Sequence, residues 1–146
     1  MKIIFVCKYN RFRSRVAEGY FKKVNRNKKI KISSAGVFEG YSVPENVINI
    51  GKEFGINTGG KPRGLHEAEF VGADLIVIVA NDVPISLFSR FNKKIILWKI
   101  PDTTQNNKER IREIMKQIFK KVDSLVKRLE KAKWMNQLTK NKNGNN

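Results

Sequence analysis

The chain has few of the residues that build disulfide frameworks and metal centres. Its 146 residues include one cysteine and one histidine. A single cysteine excludes an intrachain disulfide and is typical of proteins in a reducing compartment. One cysteine and one histidine also fall short of the ligand set that a transition metal usually needs. The sequence therefore predicts a domain that folds without disulfides and works without a metal or another cofactor.

Long apolar runs are missing as well. No stretch is long and apolar enough to span a bilayer, and residues 2–6 are typical of a strand rather than of a secretory signal. We therefore expect a soluble cytoplasmic protein with no membrane partner. A chain of this length can bury a hydrophobic core as one domain.

Acidic residues are scarce relative to basic ones. The chain contains thirteen Asp and Glu residues and thirty Lys and Arg residues, which gives a net charge of +17. The field of such a protein attracts anions of every kind, so nucleic acid is an alternative partner. The basic residues are scattered in short clusters, however, and no zinc-finger spacing or RNA-recognition motif is present. A solvated basic surface is the favoured interpretation, and the sequence leaves the oligomeric state open.

The hydrophobic pattern alternates between strands and helices. Four short apolar runs are typical of buried strands: 2–6, 30–33, 74–80 and 94–98. Helical periodicity follows each strand: at 14–25, at 44–54 and 65–71, in a short helix from Pro84, and most clearly at 108–131. This alternation predicts an α/β fold, a three-layer sandwich with a parallel sheet between helices. We expect the domain at 1–132 and a basic, Asn-rich, flexible C-terminal tail at 133–146.

One polar segment joins the first strand to the first helix. It reads Cys7-Lys8-Tyr9-Asn10-Arg11-Phe12-Arg13-Ser14. A strand, a tight loop and a helix N-terminus direct several N–H groups and the helix dipole at one point, which favours a phosphate-like dianion or a cysteine thiolate. Arg13 offers a planar fork for two phosphoryl oxygens, and Ser14 can cap the helix and bond the sulfur. The alternative is that Cys7 is a small buried apolar residue at the end of a strand.

The strand ends gather further polar residues. Ligands of open parallel sheets bind beyond the carboxyl ends of the strands. Cys7, Ser34, Asp82 and Asp102 each follow a predicted strand. Asp102 is the candidate general acid and Asp82 its substitute. The alternative for Asp102 is an ordinary turn or cap residue before the last helix.

Four segments resemble, in family order, the low-molecular-weight protein tyrosine phosphatases and their arsenate-reductase relatives: Phe5-Val6-Cys7 with Asn10, Arg13-Ser14 and Ala17-Glu18; Ser33-Ser34-Ala35-Gly36; Ala73-Asp74-Leu75-Ile76-Val77; and Pro101-Asp102. The matches extend across residues 1 to 130. The resemblance implies a four-stranded parallel sheet in the order 2-1-3-4. It also implies a phosphomonoester hydrolase, acting on a phosphorylated protein (phosphotyrosine) or a small aryl phosphate through a cysteinyl-phosphate intermediate.

The resemblance also assigns roles to residues. Cys7 is the nucleophile, Arg13 the phosphate ligand and Asp102 the general acid. The residues that surround the phosphate are Lys8, Tyr9, Asn10, Arg11, Phe12 and Ser14. Asn10 shapes this loop, Ser34 forms a hydrogen bond to it, and Ser14 stabilises the thiolate. Phe38 and Tyr41 are either a wall for an aryl substrate or ordinary loop aromatics.

The chain departs from the family signature at four places. Tyr9 replaces a glycine, Phe12 a second cysteine and Arg15 a proline, and Asp102 is followed by threonine instead of proline. The bulk and charge of Tyr9, Arg11 and Arg15 favour the alternative of a non-catalytic phosphate- or nucleic-acid-binding protein. Thioredoxin-coupled arsenate reduction is nearly excluded, because it needs further cysteines to resolve the arsenylated thiol through a disulfide.

Overall fold

The structure is a computed structural model that describes residues 1–143. The strands are β1 (Lys2–Cys7), β2 (Lys31–Gly36), β3 (Leu75–Val79) and β4 (Lys94–Trp98). The helices are α1 (Arg13–Val24), α2 (Glu45–Glu53), α3 (Glu67–Val71) and α4 (Lys108–Asn143). Two short 3-10 turns, Ile85–Leu87 and Ser89–Phe91, replace the single helix predicted after Pro84.

The four strands form one parallel sheet in the order β2-β1-β3-β4. This confirms the predicted fold class and strand order. Because β1 and β3 lie in the centre, their apolar residues are covered on both sides. All four strands point the same way, so the loops after β1, β2, β3 and β4 lie at one edge of the sheet.

The alternation of side chains along the strands divides the core into two layers. Ile3 and Phe5 of β1 face the layer formed with α1, α2 and α4. Ile4 and Val6 face the smaller layer beneath α3 and the 3-10 turns. Both layers anchor β1 from opposite sides and thereby fix the position of the loop that follows it.

Strand β2 is longer than predicted. The sequence predicted its end at Ser33, because the residues that follow are small or polar. In the structure the strand continues to Gly36, paired with β1 up to the Cys7–Gly36 register. Pairing with a central strand outweighs the weak strand propensity of Ser34 and Gly36.

Helix α4 is also longer than predicted. It continues past Lys131 to Asn143, although every residue from 131 to 143 is exposed. The predicted end of this helix at Lys131 is therefore wrong. The segment that follows contains neither glycine nor proline and is rich in good helix formers, so the helix continues. The flexibility expected from residue 133 onward stays a prediction. Residues 144–146 lie outside the described residues, and the domain boundary at 132 stays a prediction. Within residues 1–143 no helix has the length and hydrophobicity needed to cross a membrane.

A bidentate ion pair joins α2 to α4 at the surface. Arg112 donates from Nε and Nη2 to the two carboxylate oxygens of Glu53, at 3.1 and 3.0 Å. These hydrogen bonds lower the pKa of Glu53 below its ordinary value. The pair therefore stabilises the folded state when Glu53 is ionised.

We expect Glu53→Gln to reduce the acid sensitivity of the fold. A carboxyl with a lowered folded pKa contributes stability above its unfolded pKa of about 4.3, and this contribution is lost as the pH falls. Urea denaturation between pH 7 and pH 3 should give a shallower decline for Glu53→Gln than for wild type. Glu130→Gln, which removes the same charge from an exposed position of α4, is the matched control. Equal slopes in wild type and Glu53→Gln would contradict this prediction.

Candidate active site

The loop of residues 7–13, between β1 and α1, turns its carbonyl oxygens away from its own centre. The carbonyls of residues 7, 8 and 9 accept hydrogen bonds from the N–H groups of residues 37, 38 and 40, at 2.9, 2.9 and 3.2 Å. Within the described chain, no N–H group of residues 8–12 donates a backbone hydrogen bond outside regular elements. Such N–H groups at a helix N-terminus form a site for an anion.

Asn10 holds this loop in shape. Its φ of 56° lies in the left-handed region, which asparagine tolerates better than most residues. Its Nδ2 donates to the hydroxyls of Ser14 at 2.8 Å and Ser34 at 3.0 Å, and its Oδ1 accepts from the N–H group of Arg63 at 2.9 Å. The side chain thus ties the loop to α1, to β2 and to the segment before α3. The contact with Arg63 had no signal in the sequence.

Gly36 allows the loop to approach β2. A Cβ atom at this position would lie 2.5 Å from the carbonyl carbon of Tyr9 and 2.6 Å from the nitrogen of Asn10. Both are backbone atoms of the loop, so no side chain can move to make room. Any residue other than glycine would push the loop away from the sheet.

Cys7 and Ser14 lie side by side beneath the loop. The Sγ atom of Cys7 is 3.0 Å from the Oγ atom of Ser14, and both side chains are buried. Ser14 lies at the second position of α1, so it does not cap the helix as expected; the N-cap residue is Phe12, which makes no side-chain cap bond. The Ser14 hydroxyl instead interacts with the sulfur and accepts from Asn10.

Arg13 is a buried cation between two carboxylates. Its side chain is only 2 % exposed. Nη1 donates to the carbonyl of Ile100 at 3.0 Å, and Nη2 donates to Asp82 at 3.0 Å. A carboxylate oxygen of Asp102 lies 3.8 Å from the same Nη2. Asp82 therefore orients the guanidinium, whereas Asp102 lies farther away and is half-exposed.

A cleft of about 340 Å³ brings the candidate catalytic residues together. Its polar lining is formed by Cys7, Arg11, Arg13, Asp102, Thr103, Thr104 and Gln105, and its remaining lining by Tyr9, Phe12, Pro44, Val47 and Ile111. Residues 103–105 were missed by the sequence analysis, since the loop before α4 has no periodic pattern. The cleft combines a sulfur, two guanidinium groups and a carboxyl group with an apolar wall.

Tyr9 does not need the positive φ that a glycine would permit. Among the described non-glycine residues only Asn10 and Asn92 have positive φ, so Tyr9 lies outside the left-handed region. Its ring lies 5.8 Å from that of Phe38 and is 42 % exposed. The structure places neither Phe38 nor Tyr41 in the cleft; they line a neighbouring groove, and Tyr41 is almost fully exposed. Tyr9 lines both the cleft and the groove, and it presents in the cleft the aromatic surface that was expected from Phe38 and Tyr41.

Arg15 connects the loop of residues 59–61 to the loop of residues 7–13. Its guanidinium donates to the carbonyls of Asn10 at 2.7 Å and Gly59 at 2.9 Å, and also to that of Lys61. Partial burial lowers the pKa of Arg15 from its ordinary value. No signal in the sequence indicates this role, because the acceptors are backbone atoms from two loops. Residues 59–61 are thereby held against the loop of residues 7–13.

Within residues 1–143, no group of three or more His, Cys, Asp and Glu side chains is arranged to hold a metal ion.

The chain belongs to the low-molecular-weight phosphotyrosine protein phosphatase family, whose model matches residues 2–135. No significant match occurs among curated proteins. Members of this family are cysteine-dependent phosphatases.

Solved structures of similar fold cover several activities. The YwlE arginine phosphatase from Geobacillus stearothermophilus is 20 % identical in sequence to this chain. The match covers 92 % of this chain and 96 % of the phosphatase, with a TM-score of 0.81. The low-molecular-weight protein tyrosine phosphatase from T. tengcongensis is 25 % identical, and the match covers 88 % of this chain and 99 % of that protein, with a TM-score of 0.76. An arsenate reductase from Archaeoglobus fulgidus is 28 % identical over 85 % and 98 %, with a TM-score of 0.69.

We expect Asn10→Ala to destabilise the protein more than Asn10→Gly. Both variants lose the three side-chain hydrogen bonds, which leaves buried polar groups unpaired at about 1–3 kcal/mol each. Alanine adds about 1–2 kcal/mol because of its positive φ, whereas glycine does not. Urea denaturation measures both effects. Asn92→Gly, at the other positive φ but in an exposed turn, is the control and should stay near wild type. Equal stabilities of the two Asn10 variants would contradict the role of φ.

Proposed function

We propose that the protein is a phosphomonoester hydrolase, a protein-tyrosine or small aryl phosphatase that acts through a cysteinyl-phosphate intermediate. The observation that carries this proposal is the cleft that Cys7, Arg13 and Asp102 line together. These are the nucleophile, the anion ligand and the proton donor that the reaction needs. No metal takes part in the proposed steps.

The phosphate group binds in the loop of residues 7–13. Its nonbridging oxygens accept hydrogen bonds from the loop N–H groups and from Arg13, whose fork matches two oxygens of a phosphoryl group. Asp82 and the carbonyl of Ile100 hold that fork in place before substrate arrives. Preorganised donors of this kind stabilise the charge of the transition state, which is where most of the rate enhancement arises.

The first chemical step transfers the phosphoryl group to sulfur. The Cys7 thiolate attacks phosphorus, so an S–P bond forms while the P–O bond to the leaving group breaks. The Ser14 hydroxyl, 3.0 Å from the sulfur, donates a hydrogen bond to the thiolate. Protonated Asp102 gives its proton to the leaving oxygen. The products are cysteinyl phosphate, an alcohol or phenol, and ionised Asp102.

The second step returns the enzyme to its starting state. A water molecule attacks phosphorus and gives a proton to Asp102, which now acts as the base. An O–P bond forms, the S–P bond breaks, and Cys7 leaves as a thiolate. Inorganic phosphate is released.

The lining of the cleft favours an aryl leaving group. Phe12, Pro44, Val47 and Ile111 supply an apolar wall, and Tyr9 adds an aromatic ring. A protein phosphorylated on arginine would instead place a second guanidinium near Arg11, and like charges in close contact are unfavourable. This charge favours a phosphotyrosine or aryl phosphate over the substrate class in the name of the arginine phosphatases.

We expect Cys7→Ser to abolish turnover of p-nitrophenyl phosphate, because the hydroxyl of serine is a far weaker nucleophile than a thiolate. The variant should still bind inorganic phosphate, since Arg13 and the loop N–H groups are unchanged. Steady-state kinetics and isothermal titration calorimetry measure the two effects. Turnover at the wild-type rate by Cys7→Ser would refute a covalent mechanism.

We expect Asp102→Asn to lower kcat by about 10²–10⁴-fold with phenyl phosphate, as loss of a general acid does. The loss should be smaller with p-nitrophenyl phosphate, whose leaving group needs less protonation. Asp82→Asn is the matched control: it disturbs Arg13, so it should slow both substrates by the same factor. If Asp82→Asn showed the dependence on the leaving group and Asp102→Asn did not, Asp82 would be the acid.

The alternative is a binding protein that has kept the loop without turnover. The net charge of +17 is the observation that favours it. Salt-dependent binding to RNA or DNA without hydrolysis of aryl phosphates would select this alternative.

A further inference from the structure

Arg11 places a second, fixed guanidinium in the cleft. Its side chain lies across Gly40, where a Cβ atom would come within 2.5 Å of Arg11 Cγ. Nε donates to the carbonyl of Ser42 at 2.6 Å. With the Gln105 amide oriented to satisfy both partners, its side-chain oxygen accepts from Nη2 at 2.7 Å and from Nη1 at 3.1 Å. The group is thus held by the segment before α2 and by the loop before α4.

No carboxylate among the described residues lies within 4.0 Å of the Arg11 guanidinium. Its hydrogen-bond acceptors are a backbone carbonyl and an amide oxygen, both neutral. No salt bridge within residues 1–143 includes it. Arg13, the other guanidinium of the cleft, has carboxylates at 3.0 and 3.8 Å. Arg11 is therefore the cation of the cleft that remains available to an anion.

We propose that Arg11 determines specificity by binding a second anionic group of the substrate, carried on the leaving-group side of the phosphate. This inference rests on the phosphatase function proposed above. A guanidinium that is fixed before binding loses little entropy when a carboxylate or phosphate meets it, and its hydrogen bonds to such a group are charge-assisted. The preferred substrate is an aryl phosphomonoester with a carboxylate or a second phosphate, either on the ring or on a residue beside a phosphotyrosine.

The test compares two substrates that differ in one charge. The ratio of kcat/KM for 4-carboxyphenyl phosphate to that for 4-carbamoylphenyl phosphate is measured in wild type and in Arg11→Gln. Leaving-group effects cancel, because both enzymes act on the same pair. We expect the ratio to fall about tenfold in Arg11→Gln, the scale of one charge-assisted hydrogen bond. The 3-substituted pair repeats the test with the anion in another position.

Two further variants test whether the change in the ratio comes from the charge of Arg11 itself. The other possible causes are the overall positive field of the protein and an effect of the substitution on folding. Gln105→Glu leaves Arg11 in place and gives it a counter-ion, so it should lower the ratio as well. Arg128→Gln removes the same charge from an exposed position of α4, and the ratio should stay at the wild-type value. The inference would be overturned if the kcat/KM ratio were the same in wild type, Arg11→Gln and Gln105→Glu. This must hold for the 3-substituted pair, the 4-substituted pair and the peptide pair described below.

Phosphotyrosine peptides identify the source of the anion. Peptides with Glu on both sides of the phosphotyrosine are compared with otherwise identical peptides that carry Gln. If Arg11 favours the charged substrate only among the peptides, the anion belongs to a residue beside the phosphotyrosine. If it does so only among the aryl phosphates, the anion belongs to the ring. If wild type hydrolyses none of these substrates, the proposed function itself fails. If it hydrolyses them through Cys7 with no Arg11-dependent preference, only the present inference fails.

Discussion

The loop of residues 7–13 depends on hydrogen bonds that its carbonyls accept from neighbouring segments. Each carbonyl turned away needs a donor elsewhere, and the segment after β2 provides three of them. Arg15 provides another, at Asn10. The loop is therefore a candidate anion site only because β2, the segment after it and α1 are held close to β1. The absence of a side chain at Gly36 permits that approach.

Three arginines of one short motif differ in function because their surroundings differ. Arg13 is buried and paired with Asp82, which fixes its direction. Arg15 is bound by backbone carbonyls and connects two loops. Arg11 is bound by two neutral acceptors and has no carboxylate within salt-bridge distance among the described residues. The same guanidinium group is thus a candidate anion ligand at Arg13, a structural link at Arg15 and a candidate specificity determinant at Arg11, according to the acceptors within its reach.

The departures from the family signature are compatible with the shape of the loop. Tyr9 does not have a positive φ and is partly exposed, so its position does not require the conformational freedom of the family glycine. Phe12 is buried among the core residues next to α1. Arg15 replaces a proline and adds hydrogen bonds to a neighbouring loop. The residue that needs a positive φ is Asn10, which the chain retains.

The fold was predictable from local signals. Alternating strands and helices with short apolar runs predicted a parallel sheet. The strand, loop and helix around Cys7 and Arg13 led us to expect an anion site there, and that site stays a prediction. The extension of α4 to Asn143 and the end of β2 at Gly36 were missed, since helix propensity and strand pairing outweighed polar composition there.

Amino-acid order alone thus determined the alternation of strands and helices and the place of the cysteine at the end of the first strand, because these depend on periodicity and on neighbours in the chain. Tertiary structure alone decided the partners of the arginines, the place of Tyr9 instead of Phe38 in the cleft, and the separate positions of Asp82 and Asp102. Those choices depend on acceptors that lie far apart in the chain and meet only when the loops at the edge of the sheet pack together.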